Sequence, residues 1–177
     1  MNRSLRIARV GLHDLGLPAY QTAGAAGLDL QACLPAPITL APLARHAVPT
    51  GFAVEIPSGF ELQIRARSGL ALRHGLTLVN GVGTIDSDYR GELAVLLVNL
   101  GAGPVTIAHG DRIAQAVLAP VTRILWEECA DLSETVRGPN GFGSTGLHDT
   151  QSGATALDAA RFDPGDPASD DVSPTGQ

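Results

Sequence analysis

The chain has 177 residues, 44% of them hydrophobic and only 4% aromatic, which fits one globular domain with an aliphatic core and excludes a wholly disordered chain. Its formal net charge is −6, but six aspartates against one arginine from Asp149 onward leave −1 for residues 1–148. A body so near neutrality offers no basic face for duplex nucleic acid, though a few local arginines could still hold a small anion.

In chain order, Leu5 to Val10 alternates Leu, Ile and Val with Arg and Ala, which reads as a strand. Leu12 to Leu17 allows a helical reading but is short. Gly51 to Ile56 and Phe60 to Ile64 are apolar runs joined by Pro57-Ser58-Gly59, a turn between antiparallel strands. Leu76 to Val79 precedes Asn80-Gly81, a hairpin signal because both residues tolerate positive φ. Leu93 to Val98 is continuously apolar and suits a strand buried on both faces. Val105 to Ala108 meets Arg112 to Leu118 through the tight turn His109-Gly110-Asp111, with Ala114 to Leu118 the second stretch open to a helical reading. Val121 to Trp126 is the last strand.

Short strands at close spacing, punctuated by 21 Gly and 12 Pro, predict an all-β sandwich or barrel. The predicted body spans residues 1–129, followed by a glycine-rich, mobile arm over 130–146. Residues 147–177 contain almost no large apolar side chain and are expected to form a disordered acidic tail. Cys33 and Cys129 sit in no metal-ligand spacing and are expected to be buried small hydrophobes rather than a bridge. Trp126 is expected to pack in the core or at an interface, and the five histidines to be structural or on the surface. Arg3, Arg6 and Arg9 interrupt the N-terminal apolar residues, and no run approaches a bilayer span, so a cytoplasmic protein without membrane contact is expected.

Chemistry concentrates in residues 80–92, Asn80-Gly81-Val82-Gly83-Thr84-Ile85-Asp86-Ser87-Asp88-Tyr89-Arg90-Gly91-Glu92. Glycine-rich backbone lets a flat ligand approach N–H and C=O groups that can read a base edge. Asn80 adds a donor and an acceptor, Asp86 a carboxylate able to activate water, and Tyr89 a flat wall. Taken alone, the segment reads first as a surface hairpin of turn-forming Asn, Asp and Gly. Gly141-Phe142-Gly143-Ser144-Thr145-Gly146 satisfies a dinucleotide-binding glycine pattern, but no helix follows it, and the chain has no Lys to complete a P-loop.

Residues 80–92 resemble the third motif of the dUTPase family, and four more segments resemble the others in family order. These are Ala26-Gly27-Leu28-Asp29-Leu30, Arg67-Ser68-Gly69-Leu70-Ala71, Gly110-Asp111-Arg112-Ile113-Ala114-Gln115, and Arg137 to Gly146. The resemblance implies a distorted jelly-roll β-barrel, assembled as a homotrimer with active sites at subunit interfaces. It implies Mg²⁺-assisted hydrolysis of dUTP to dUMP and pyrophosphate, which limits uracil incorporation into DNA and supplies dUMP for thymidylate synthesis. By resemblance Asp86 is the general base; Asn80 with Val82, Gly83, Thr84 and Ile85 binds uracil; and Tyr89 packs on the deoxyribose. Arg67, Ser68 and Gly69 form a phosphate cradle, and Gln115 reaches the α-phosphate region. Asp29 acts in the outer shell of Mg²⁺ or holds a phosphate-binding arginine, while Asp111 and Arg112 form a structural turn and ion pair. Arg137, Phe142, Gly143 and Ser144 belong to the arm that closes over bound nucleotide, Phe142 on the uracil and Arg137 on the γ-phosphate. Asn140 stands where the family commonly has Gly. The dCTP deaminases share this fold, but the position of their catalytic Glu falls on Leu96. A non-catalytic nucleotide-binding regulator would be expected to have lost Asp86 or the arm.

Overall fold

A computed structural model describes residues 3–141. The chain divides into two units, residues 1–126 and 127–177. The expected tail, residues 147–177, lies outside the described residues.

The first unit is built almost entirely of antiparallel strands: β1 (Arg6–Arg9), β2 (Ala19–Tyr20), β3 (Leu28–Gln31), β4 (Ile38–Leu40), β5 (Arg45–Glu55), β6 (Phe60–Arg65), β7 (Leu76–Leu78), β8 (Gly83–Ile85), β9 (Glu92–Asn99), β10 (Val105–Ile107) and β11 (Arg112–Pro120). They form a four-stranded sheet ordered β1-β5-β9-β7, a five-stranded sheet ordered β2-β3-β11-β6-β8, and the pair β10-β4. Alternation sets the core. On β6, Leu62 and Ile64 point inward while Gln63 and Arg65 point out; on β9, Leu93, Val95 and Leu97 point inward. The largest fully buried side chains are Leu, Val, Asn and Thr, so the core is aliphatic, as 4% aromatics require.

Among the described residues two polar side chains are fully enclosed, and both are satisfied. Asn99 donates through Nδ2 to the carbonyls of Leu40 (2.9 Å) and Gly103 (2.8 Å) and accepts from Gly101 N–H at 2.8 Å, tying the end of β9 to β4. Thr50 donates to the Leu93 carbonyl at 2.7 Å. Each bond offsets the desolvation of the group that makes it.

Several sequence expectations need correction. Asn80-Gly81 and Pro57-Ser58-Gly59 are turns, with Gly81 at φ +68° and Gly59 at φ +82°. The strands they join, however, lie in different sheets, so each carries the chain across the molecule instead of closing a hairpin. His109-Gly110-Asp111 likewise leads from β10 in the two-stranded pair to β11 in the five-stranded sheet. β9 is covered on both faces only at its end, where Val98 is buried; Ala94 and Leu96 on the same face point outward and are exposed. Residues 12–17 are not helical, and Ala114 to Leu118 belongs to β11. Val121 to Trp126 pairs with no strand among the described residues, and its Ile124, Leu125 and Trp126 are exposed, so Trp126 is not core.

The one helix among the described residues, α1 (Ser68–His74), was not anticipated. It buries no side chain and carries no apolar stripe to announce it. Gly75 ends it at φ +66°, its N–H bonded back to the carbonyls of Ala71 and Leu70. Cys33 is only partly buried and Cys129 is exposed; both are free thiols.

Candidate active site

Two cavities gather the side chains singled out by sequence, and the described residues that line them do not overlap. The first, about 240 Å³, opens where the chain crosses from β7 to β8. Its apolar side comes from Ile64, Leu78, Ala94 and Leu96, the last two being the outward residues of β9. Asn80, Gly83, Thr84, Ile85, Asp86 and Tyr89 line it as well. Val82 does not; it is half exposed.

The turn after β8 is braced from within. Tyr89 N–H donates to the Asp86 carbonyl at 3.2 Å, and Arg90 donates to the carbonyls of Ser87 (2.8 Å) and Tyr89 (2.9 Å). The Tyr89 hydroxyl donates to the Glu92 carbonyl at 3.0 Å. Its ring lies where a Cβ on Gly91 would stand, so only glycine at 91 lets the ring settle there. The Asp86 carboxylate accepts no hydrogen bond among the described residues and faces solvent. Glu92 also borders the cavity, but its Oε1 is engaged by Gly51 N–H at 2.7 Å.

The second cavity, about 430 Å³, lies across β3, β11 and the start of α1. Asp29 on β3 stands opposite Gln115 on β11, and Gln115 opposite Arg65 on β6, which places Arg67 just beyond the strand end. A bulge between Arg112 and Ala114 decides which side chains of β11 face this cavity. Strict alternation would put Arg112 and Gln115 on opposite faces; the extra residue turns Ile113 and Ala114 both inward and leaves Arg112 and Gln115 on one side. Gly27 has no side chain because a Cβ there would overlap the Gln115 amide.

Asp29 is the hub of this cavity. Its side chain is 12% exposed; Oδ1 faces Arg67 Nε at 3.4 Å and Oδ2 faces Arg112 Nη1 at 3.2 Å. Arg67 also donates from Nη1 to the Arg112 carbonyl at 2.7 Å, so its guanidinium is held at two points. Arg112 thus pairs with Asp29 and not with Asp111, whose Oδ2 instead accepts Ala108 N–H at 2.8 Å and closes the turn. Ser68, Gly69 and Gln115 line the same cavity, as does Arg73, which sequence reasoning passed over. Pairing across 83 residues leaves no local signal of Arg112's partner.

No histidine lines either cavity among the described residues. His109 contacts Asp14 at 2.9 Å, and that hydrogen bond holds the exposed Asp14 carboxyl below its usual value. In the second unit, Arg137-Gly138-Pro139-Asn140 forms a turn: Asn140 N–H donates to the Arg137 carbonyl at 3.3 Å and Arg137 Nε to the Asn140 carbonyl at 2.9 Å. Gly138 takes the positive φ (+53°), not Asn140. Phe142, Gly143 and Ser144 lie outside the described residues.

Comparison with known proteins decides the family. The dUTPase family model matches residues 14–146. The chain belongs to the dUTPase family. It is 59% identical over 133 residues to the deoxyuridine 5'-triphosphate nucleotidohydrolase of Desulfotalea psychrophila, covering 75% of this chain and 89% of that one. It is 60% identical over 135 residues to the protein of the same name from Sinorhizobium medicae, covering 75% and 84%. The fold matches a Staphylococcus bacteriophage 80alpha dUTPase with dUpNHpp, with a TM-score of 0.73 at 23% identity, over 82% of this chain and all of that one. A dUTPase from phage phi11 of S. aureus, described with a structural Mg(II) ion, gives a TM-score of 0.66 at 20% identity over 75% and 100%. This dUTPase fold is of the jelly-roll type that the resemblance implied.

Proposed function

We propose that this dUTPase hydrolyses dUTP to dUMP and pyrophosphate, with water activated by Asp86 attacking the α-phosphorus. The activity limits uracil incorporation into DNA and provides dUMP for thymidylate synthesis. The observation that carries the mechanism is the first cavity, where Asn80, the accessible backbone of Gly83 to Ile85, Tyr89 and Asp86 border one space. Asn80 and that backbone supply donors and acceptors to a pyrimidine edge. Tyr89, locked over Gly91, presents its ring to the sugar. Asp86 has no competing partner, so its carboxylate is available to take a proton from water.

Arg67, Ser68, Gly69 and Gln115 hold the phosphates. Asp29 orients Arg67 and Arg112 from behind, which favours the second of the two roles expected for it. No group of three or more metal-ligating side chains exists among the described residues, and both Asp29 oxygens already face guanidinium groups. Such a donor set fits Mg²⁺ carried on the substrate phosphates with most of its waters, with Asp29 at most in its outer shell. When bound, the ion neutralises charge on the triphosphate.

Within one chain, β6 and β11 lie between β8 and β3, three strand spacings or roughly 14 Å. That separation, the outward apolar residues of β9 and the exposed run Ile124 to Trp126 support a homotrimer. Each active site would then join the first cavity of one copy to the second cavity of another. Arg137, with Phe142, Gly143 and Ser144, would close over the nucleotide and exclude water. No described helix is long and apolar enough to cross a membrane, and we assign the enzyme to the cytoplasm without nucleic-acid partners. Leu96, lining the first cavity, cannot shuttle a proton, which argues against deamination. Incubation with dUTP and Mg²⁺ tests the reading: pyrophosphate release is expected, whereas ammonia from dCTP or binding without turnover would overturn it. Native mass measurement is expected to give three chains.

A further inference from the structure

We infer that Arg73, a residue to which no role has been given above, binds the polyphosphate of the substrate and supplies the cradle's uncompensated positive charge. The inference rests on the proposed use of the second cavity as the phosphate site. Three guanidinium groups line that cavity, from Arg67, Arg73 and Arg112, against one carboxylate, Asp29. Asp29 faces Arg67 and Arg112 and leaves Arg73 aside. Among the described residues no carboxylate lies within ion-pair distance of Arg73.

Local geometry explains how the side chain reaches the cradle from the far end of α1. Gly69 and Arg73 are four apart, hence neighbours on one helix face. The Arg73 side chain bends back over Gly69, its Nη2 only 3.0 Å from where a Cβ on Gly69 would stand. Any larger residue at 69 would push the guanidinium away, so glycine there serves the arginine as well as the open backbone N–H. A triphosphate with Asp29 and only two arginines beside it would meet a net single positive charge; Arg73 doubles it. Charge-assisted hydrogen bonds to phosphate are the strong kind, and a guanidinium can make two at once.

A purely structural role for Arg73, as a cation in the last turn of α1, makes a different prediction. Its loss would then lower stability and weaken every nucleotide equally. The test uses full-length protein carrying Asp86→Asn to prevent turnover, with and without Arg73→Gln, titrated with dUTP, dUDP and dUMP. If Arg73 holds the polyphosphate, Arg73→Gln weakens dUTP about tenfold, weakens dUMP far less, and flattens the salt dependence of dUTP binding, with an unchanged melting temperature. Arg73→Lys restores part of the loss. Equal weakening of all three nucleotides, or none, overturns the assignment. Hydrolysis of dUTP by the unaltered chain separates failure of this inference from failure of the proposed activity.

Discussion

The two cavities offer opposite kinds of chemistry. The one beside β8 is nearly free of fixed charge apart from Asp86 and Glu92, and is lined by backbone groups, one amide and one ring. The one across β3 and β11 gathers three guanidinium groups, two of them clamped by a single acid, Asp29. On the proposed function, shape would decide at the first, through its glycines, and charge at the second, through the partners of each arginine. Chemistry requires both together, because a base held without its phosphates is not positioned for attack.

Substitutions can separate the two. The largest effect is expected from Asp86→Asn, which removes the base and leaves both recognition surfaces intact: kcat should fall by about 10²–10⁴ while dUTP affinity, measured by titration, stays unchanged. An unaltered kcat would discard the assignment. Ending the chain after Leu132 should abolish most turnover while the melting curve keeps its midpoint; full activity would remove the arm from the mechanism. Asp29→Asn frees Arg67 and Arg112 from their common anchor. Loss of that orientation should lower kcat/KM for dUTP by roughly a hundredfold, even though the cavity becomes more positive. A rise in affinity with unchanged kcat would show that orientation is unimportant there. Gly91→Ala confines the damage to the first cavity. A displaced Tyr89 ring should narrow the preference for dUTP over UTP by roughly tenfold, leaving inhibition by pyrophosphate as it was.

Sequence alone disclosed local turns better than the placement of the strands they join. Glycine and asparagine marked the turns at 80–81 and 57–59, because positive φ is a local property. Which sheet each strand entered is not local, so two sheet-to-sheet crossings read as hairpins. The run Leu93 to Val98 looked buried on both faces because hydrophobicity does not say whether the covering surface belongs to the same chain. Ala94 and Leu96 are exposed within this chain. Arg112 looked like the partner of its neighbour Asp111, yet its charge is met by Asp29, brought beside it only by the pairing of β3 with β11. α1 was invisible for a related reason: seven residues that bury nothing carry no periodic signal.

Trp126 is the chain's only tryptophan, and it stands 91% exposed in the isolated subunit. Its fluorescence therefore comes from one position, free of the averaging that blurs proteins with several indoles. If copies bury that ring as they associate, the emission maximum should move to shorter wavelength with rising concentration, and the midpoint of that movement would give the assembly constant without any label.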